Sequence, residues 1–240
     1  VVVFCFLFFM DASFLKSFLP EIFFSLAIFF QLIFNSRFVN KVNFNFPIIY
    51  KETFYQIIVI FICLLFILYN LKIEGFFPNF LFVNDLGSRV LKIIIVSISS
   101  LALLFIGRSF CLQNINFFEY FTVFLLSLLA LLLLINSSDI LSAYLIIEMQ
   151  ALCFYILASF KRNSSFSTEA GLKYFISGSF ISGVFLLGAS LIYGCLGSLN
   201  FNILSWLLTF DFSSDFIILR ILIIIAICLI TFTLCFKIAA

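Results

Sequence analysis

Apolar runs of about 20 residues recur along this chain, and each is long enough to cross a bilayer as a single helix. Repeated runs of that length define a polytopic, all-α membrane protein. Composition agrees. Of the 240 residues, 65% are hydrophobic and 10% charged, too few polar groups to cover a water-soluble surface. The net charge of +2 is small and scattered, which gives no footprint for nucleic acid.

Seven spans can be drawn. They run over about Leu19–Phe34, Thr53–Leu71, Val90–Ile106, Phe118–Ile135, Ile140–Phe160 and Glu169–Cys195, and from about Phe216 to the chain end. Pro20 suits a first helical turn. No Pro- or Ser-rich linker divides them, so we expect one membrane domain over 1–240, with spans one to three in 1–115 and the rest in 116–240. The stretch Gly197–Asp215 is too short and mixed to cross, and reads as a short helix at the interface with Trp206 at headgroup level. The apolar loop Gly75–Ser88 has no explanation at this level, and the first nine residues are too few to cross.

Loops after spans one, three and five hold Arg37, Lys41, Lys51, Arg108, Lys161 and Arg162. The opposite side holds Lys16, Lys72, Arg89 and at most Lys92. This bias puts Lys161 on the negative (matrix or cytoplasmic) side and the N-terminus on the other. The N-terminal residues show no basic, cleavable signal and no Arg-rich transit segment. That pattern, with 39 Phe, fits synthesis from an AT-rich organellar or bacterial genome.

The chain has no His. Ser-His and Cys-His catalytic pairs, haem ligation by His and most zinc chemistry are therefore excluded. The seven cysteines form no C-x-x-C pair, lie mostly in apolar runs and read as small packing residues. Any proton carrier must be Asp, Glu, Lys, Cys or Tyr.

Glu148 stands eight residues into span five, about 12 Å from its start. An unpaired carboxylate at that depth would cost several kcal/mol, so it belongs on an ion or proton path facing protein or water. Tyr144, Glu148, Ala151 and Tyr155 share one helix face. On span six, Lys173 and Ser177 share a face, while Gly178 with Ser182 and Ser179 with Gly183 form small-residue pairs that admit a neighbouring helix. Close packing there would bring Lys173 towards Glu148. Lys237, taken alone, reads as a basic flank. Glu119, Asp139, Glu21 and Glu169 sit at helix starts, where a carboxylate complements the dipole. Of these, Glu119 and Asp139, with Tyr144, are secondary candidates.

The segments "IEMQALCFYILASFKR" and "STEAGLKYFISGSF" resemble subunit 2 of the proton-pumping NADH:ubiquinone oxidoreductase, respiratory complex I, whose bacterial equivalent is chain N. The N-terminal "FLPEIFF" and the final "FTLCFKIAA" fit as well, and the mitochondrial form is nearer. The resemblance implies an antiporter-like fold, built on an inverted pair of repeats with broken helices. It implies a proton path through Glu148, Lys173 and Lys237, the last beside a helix break in the seventh span rather than on a flank. It also implies that this chain carries no redox cofactor, with FMN, iron–sulfur clusters and ubiquinone held elsewhere in the complex.

The chain resembles about the N-terminal half of that subunit. We expect a split gene, with a second polypeptide completing the repeats, in preference to a truncated chain. The implied partners are the other membrane-arm subunits and lipid, and the implied place is the mitochondrial inner membrane. A related cation/proton antiporter is the alternative. A seven-helix receptor or retinal protein fits the span count but not a glutamate on span five.

Overall fold

The computed structural model describes residues 18–38, 47–69, 75–76, 82–113, 118–161, 164–208 and 217–239. They form α1 (Leu19–Phe38), α2 (Pro47–Tyr69), β1 (Gly75–Phe76), β2 (Val83–Asn84), α3 (Leu86–Gln113) and α4 (Phe118–Asn136). After these come α5 (Ile140–Ala158), α6 (Ser165–Leu196), α7 (Phe201–Leu208) and α8 (Ile217–Ala239). Each expected span contains a helix. Over their described residues α3, α4, α5, α6 and α8 are long and apolar enough to cross a membrane, and α1 and α2 carry shorter apolar stretches.

Two compact units divide the chain. Residues to Asn136 form the first, apart from 78–82, and those from Ser137 form the second. The division falls one helix after the internal boundary drawn at 115/116.

In the first unit α1 packs on α2 and α4, and α3 packs on α2 and α4. Pro20 and Pro47 occupy first helical turns, where a missing N–H costs nothing. Phe24, Ile60, Cys63, Ile67, Leu103 and Leu125 fill the core. The apolar loop after α2 holds a short hairpin, with Gly75 opposite Asn84 and Phe76 opposite Val83. α3 then begins at Leu86, earlier than the sequence reading placed it.

In the second unit α6 lies against both α5 and α8. Ser164 caps α6, its Oγ accepting from the Ser167 N–H at 3.4 Å, so the helix starts one turn before the expected Glu169. It stops at Gly197, whose φ of 72° is the left-handed conformation that ends helices, with the Gly197 N–H donating to Tyr193 O. Gly171, Gly178, Ser182, Phe185, Gly188 and Ile192 make the buried stripe of α6. A Cβ on Gly188 would lie 2.8 Å from Ile230 Cγ1 and 3.1 Å from Ala226 O, so α8 comes in close there. Of the two small-residue pairs, Gly178 with Ser182 is buried, while Ser179 and Gly183 face outward.

The stretch expected to form a short helix holds α7, eight residues long. Leu204 joins the core of Ile140, Phe185, Ala189, Ile192 and Ala226, and Trp206 is exposed. Cys63 and Cys153 are buried packing residues, and Cys195, Cys228 and Cys235 are free thiols too. Cys5 and Cys111 have no described side chain, and the first nine residues lie outside the described residues.

Candidate proton-transfer site

α5 crosses the second unit with Glu148 near its middle, and the Tyr144–Tyr155 face turns inward as its spacing requires. Tyr144 stacks on Phe185 of α6, with ring centroids 5.4 Å apart. Tyr155 is buried, edge-on to Tyr174 at 4.7 Å. Its ring occupies the space opened by Gly178, where a Cβ would fall 1.8 Å from the phenol oxygen.

Between these aromatic contacts Lys237 Nζ donates to Glu148 Oε1 at 2.8 Å. The partners are 89 residues apart in sequence, and their side chains are 19% and 23% exposed. A cavity of about 120 Å³ opens beside them, lined by Gln150, Tyr155, Tyr174, Ser177 and Lys237 among others. Its walls are mostly apolar, with Ile147, Phe154, Ile181 and Phe236 beside these polar groups, and its volume has room for several waters.

Lys173 is not brought to Glu148. It pairs with Glu169, four residues back on α6, at 2.6 Å, and the two side chains are 74% and 60% exposed. The physical reason is local. With α6 starting at Ser165, Glu169 lies past the first turn and at ideal i,i+4 spacing to the lysine. The cavity does reach Ser177, whose Oγ donates to Lys173 O at 3.0 Å, and Tyr174.

Asp139 is the N-cap residue of α5 but makes no side-chain cap. It belongs to a backbone knot: Ile140 N–H donates to Leu199 O and Phe201 N–H to Ser138 O, each at 3.0 Å. Burial pushes the Asp139 carboxyl above its ordinary range, and a hydrogen bond with the Asn200 side chain partly offsets this. Glu119 stands in the first turn of α4, exposed, in the first unit. Among the described residues no group of three or more His, Cys, Asp or Glu could hold a metal.

The sequence reading missed one cluster. Glu21, Lys92 and Arg89 were assigned to a helix start and to loop charges, and all three are buried. Because α3 begins at Leu86, Arg89 and Lys92 fall on the inward face of its first two turns. Lys92 Nζ donates to Glu21 Oε1, and Asn136 Nδ2 donates to the same oxygen at 3.1 Å. The depth of Lys92 in its helix was the only available signal.

Comparison with known proteins shows what the chain is similar to. Residues 137–240, the second unit without 78–82, match the family described as NADH:quinone oxidoreductase/Mrp antiporter, transmembrane region. NADH-ubiquinone oxidoreductase chain 2 of Marchantia polymorpha is 50% identical over 97 residues, 40% of this chain and 20% of that protein. NADH-quinone oxidoreductase subunit N of Methylobacterium nodulans is 42% identical over 121 residues, 50% of this chain and 25% of that protein. The matched stretches thus span about a quarter of these relatives or less. A chain of respiratory complex I from Thermus thermophilus shares the fold, with a TM-score of 0.66 and 19% identity over 91% of this chain and 43% of that one. The fold is that of the antiporter-like membrane subunits, the sequence is similar to part of chain 2 of NADH-ubiquinone oxidoreductase, and residues 137–240 match the antiporter family model.

Proposed function

We propose that this chain is part of a membrane-arm subunit of NADH:ubiquinone oxidoreductase and contributes to proton translocation driven by electron transfer from NADH to ubiquinone. The observation that carries this reading is the Glu148–Lys237 pair, which joins α5 to α8 inside the family-matched segment. A proton can move along that hydrogen bond from Nζ to Oε1. The pair then changes from two charges to two neutral groups with no net charge created. Water in the adjoining cavity favours the charged form, and drying favours the neutral one, because separated charge is costly in a low dielectric. A change in hydration driven from elsewhere in the assembly would thus become a change in proton position. Lys173 is the neighbouring carrier, reached through the cavity wall at Tyr174 and Ser177 when it leaves Glu169.

In this reading the chain itself holds no cofactor, and FMN, iron–sulfur clusters and ubiquinone belong to other subunits. Its partners are the other membrane-arm subunits, and native mass spectrometry of the purified complex is expected to find them together with this chain. The place is the mitochondrial inner membrane, with Lys161 on the matrix side and the N-terminus towards the intermembrane space. The test is Glu148→Gln in the assembled complex. Coupled NADH oxidation and proton pumping are expected to fall by about tenfold or more, as when a proton-transfer step loses its acid–base group, with assembly retained. Full pumping by this variant would overturn the role of the carboxylate.

A further inference from the structure

The first unit holds an ionic cluster that the Glu148–Lys237 pair does not use. Glu21 of α1 is 5% exposed, and Lys92 of α3 and Asn136 of α4 are 1% exposed. Glu21 Oε1 accepts from both Lys92 and Asn136. The amide orientation of Asn136 follows from chemistry, since an ionised carboxylate only accepts and must face the NH2 group. Lys92 also donates to Asn84 Oδ1 at 3.3 Å, which uses two of its three donors. Glu21 Oε2 and Asn136 Oδ1 are buried with no protein partner.

A buried ion pair that serves only to hold helices together has to satisfy its remaining lone pairs to offset desolvation. This one leaves two acceptors over, and beyond its two oxygen partners the Lys92 ammonium has only the Phe18 ring, 5.8 Å from its centroid. The two acceptors and the ammonium are the partners of a single water, which accepts one hydrogen bond and donates two. We propose that Glu21, Lys92 and Asn136 bind one water molecule and form a proton-exchange site in the first unit. Lys92 gives a proton to the water as the water gives one to Glu21 Oε2, so both side chains become neutral and the total charge is unchanged. The reverse shift restores the ion pair.

The site lies near one membrane face. Glu21 is in the first turn of α1 and Asn136 is the last residue of α4, while Lys92 is six residues into α3, about 9 Å from its start. Further along the inward face of α1 come Phe24 and Ile28, and Ile60 and Ile67 fill the same core from α2. Phe24 and Ile28 stand between the site and the buried Gln31 deeper on α1, so exchange runs to the face where α1 begins. The inference rests on the proposed proton-translocating role for its use in transport, and not for the bound water.

The native complex, imaged in lipid at a resolution that shows ordered water, tests the site first. Density within hydrogen-bond reach of both Glu21 Oε2 and Asn136 Oδ1 is expected. An empty space there, or both oxygens turned onto protein donors, overturns the proposal. The second test is the double variant Glu21→Leu/Lys92→Met, which removes the charges while keeping apolar volume. A purely structural pair replaced this way is neutral or stabilising. The assembled double variant is expected to lose about tenfold or more in coupled pumping, the scale of a lost acid–base group. Unchanged pumping overturns the exchange role. Glu148→Gln measured alongside separates the two readings. If it lowers pumping while the double variant does not, only this site falls. If neither does, the proposed function falls with it.

Discussion

At the residue scale, the Glu148–Lys237 contact is both a tie and a liability. Each charge is tolerable at that depth because the other is 2.8 Å away. Lys237→Met leaves the carboxylate without its partner, and a destabilisation of about 1–3 kcal/mol is expected, the scale of a lost hydrogen bond to a charged group. Pairing that change with Glu148→Gln removes the orphaned charge, so the double variant is expected to unfold at a higher temperature than Lys237→Met alone. Thermal unfolding in detergent measures both, and equal midpoints would mean that the two side chains do not interact. Asp139 gives a prediction with a pH sign. Its carboxyl is raised by burial, so the fold binds that proton more tightly than the unfolded chain does. The stability it contributes is full below the ordinary carboxylate range and is lost as pH rises through the folded value. Asp139→Asn stays neutral and caps a helix equally well. Its midpoint is expected to exceed the parent's near about pH 7, with the gap closing towards about pH 4. A gap independent of pH would show that Asp139 does not titrate differently in the fold.

At the element scale, glycine sets how closely helices approach. Gly178 makes room for Tyr155 of α5, and Gly188 for Ile230 and the Ala226 carbonyl of α8. Alanine at either site is expected to cost about 1–3 kcal/mol through overpacking. Gly183 is the control, with nothing within 4 Å of its Cβ position, and alanine there is expected to be neutral or to stabilise by about 0.5–1 kcal/mol through helix propensity. Chemical denaturation of the three variants checks the order, and equal effects would refute the packing assignment. Elements of this kind were legible in the sequence because hydropathy reports each span on its own. Gly178 with Ser182 was legible for the same reason, since both lie on one helix. The ends were less so. Ser164 was hidden in "KRNSS", one of several residues able to cap α6, and the β1–β2 hairpin is too short to show a strand period. Pairings between helices were not legible at all from local pattern. Glu21 and Lys92 lie 71 residues apart, and nothing in either segment names the other. Glu148 and Lys237 are farther apart still, and only the family resemblance put them on one path.

At the scale of the whole molecule, the family match starts at residue 137, where the second compact unit also starts after Asn136. The portion that resembles its relatives most is thus a structural body of its own, with α6 as its longest helix. At 32 residues α6 is about 48 Å long, more than the roughly 30 Å of hydrocarbon it has to cross. Its two ends therefore lie on opposite faces of the membrane, and the excess length sets the exposed Glu169–Lys173 pair towards one of them. The proposed orientation puts that end, next to Lys161, in the matrix, and Asn200, past the other end, in the intermembrane space. Single cysteines at Lys161 and Asn200, each in a background with all seven native cysteines replaced, test this with a membrane-impermeant maleimide. In intact mitochondria with a permeabilised outer membrane, Asn200→Cys is expected to label and Lys161→Cys to stay protected. Inverted inner-membrane vesicles are expected to reverse the pattern. The opposite result in both preparations would invert the orientation, and with it the face to which Lys173 is exposed. Labelling of both positions from one side would rule out α6 as a single crossing helix, and the antiporter-like arrangement of α5, α6 and α8 around Glu148 could not then stand.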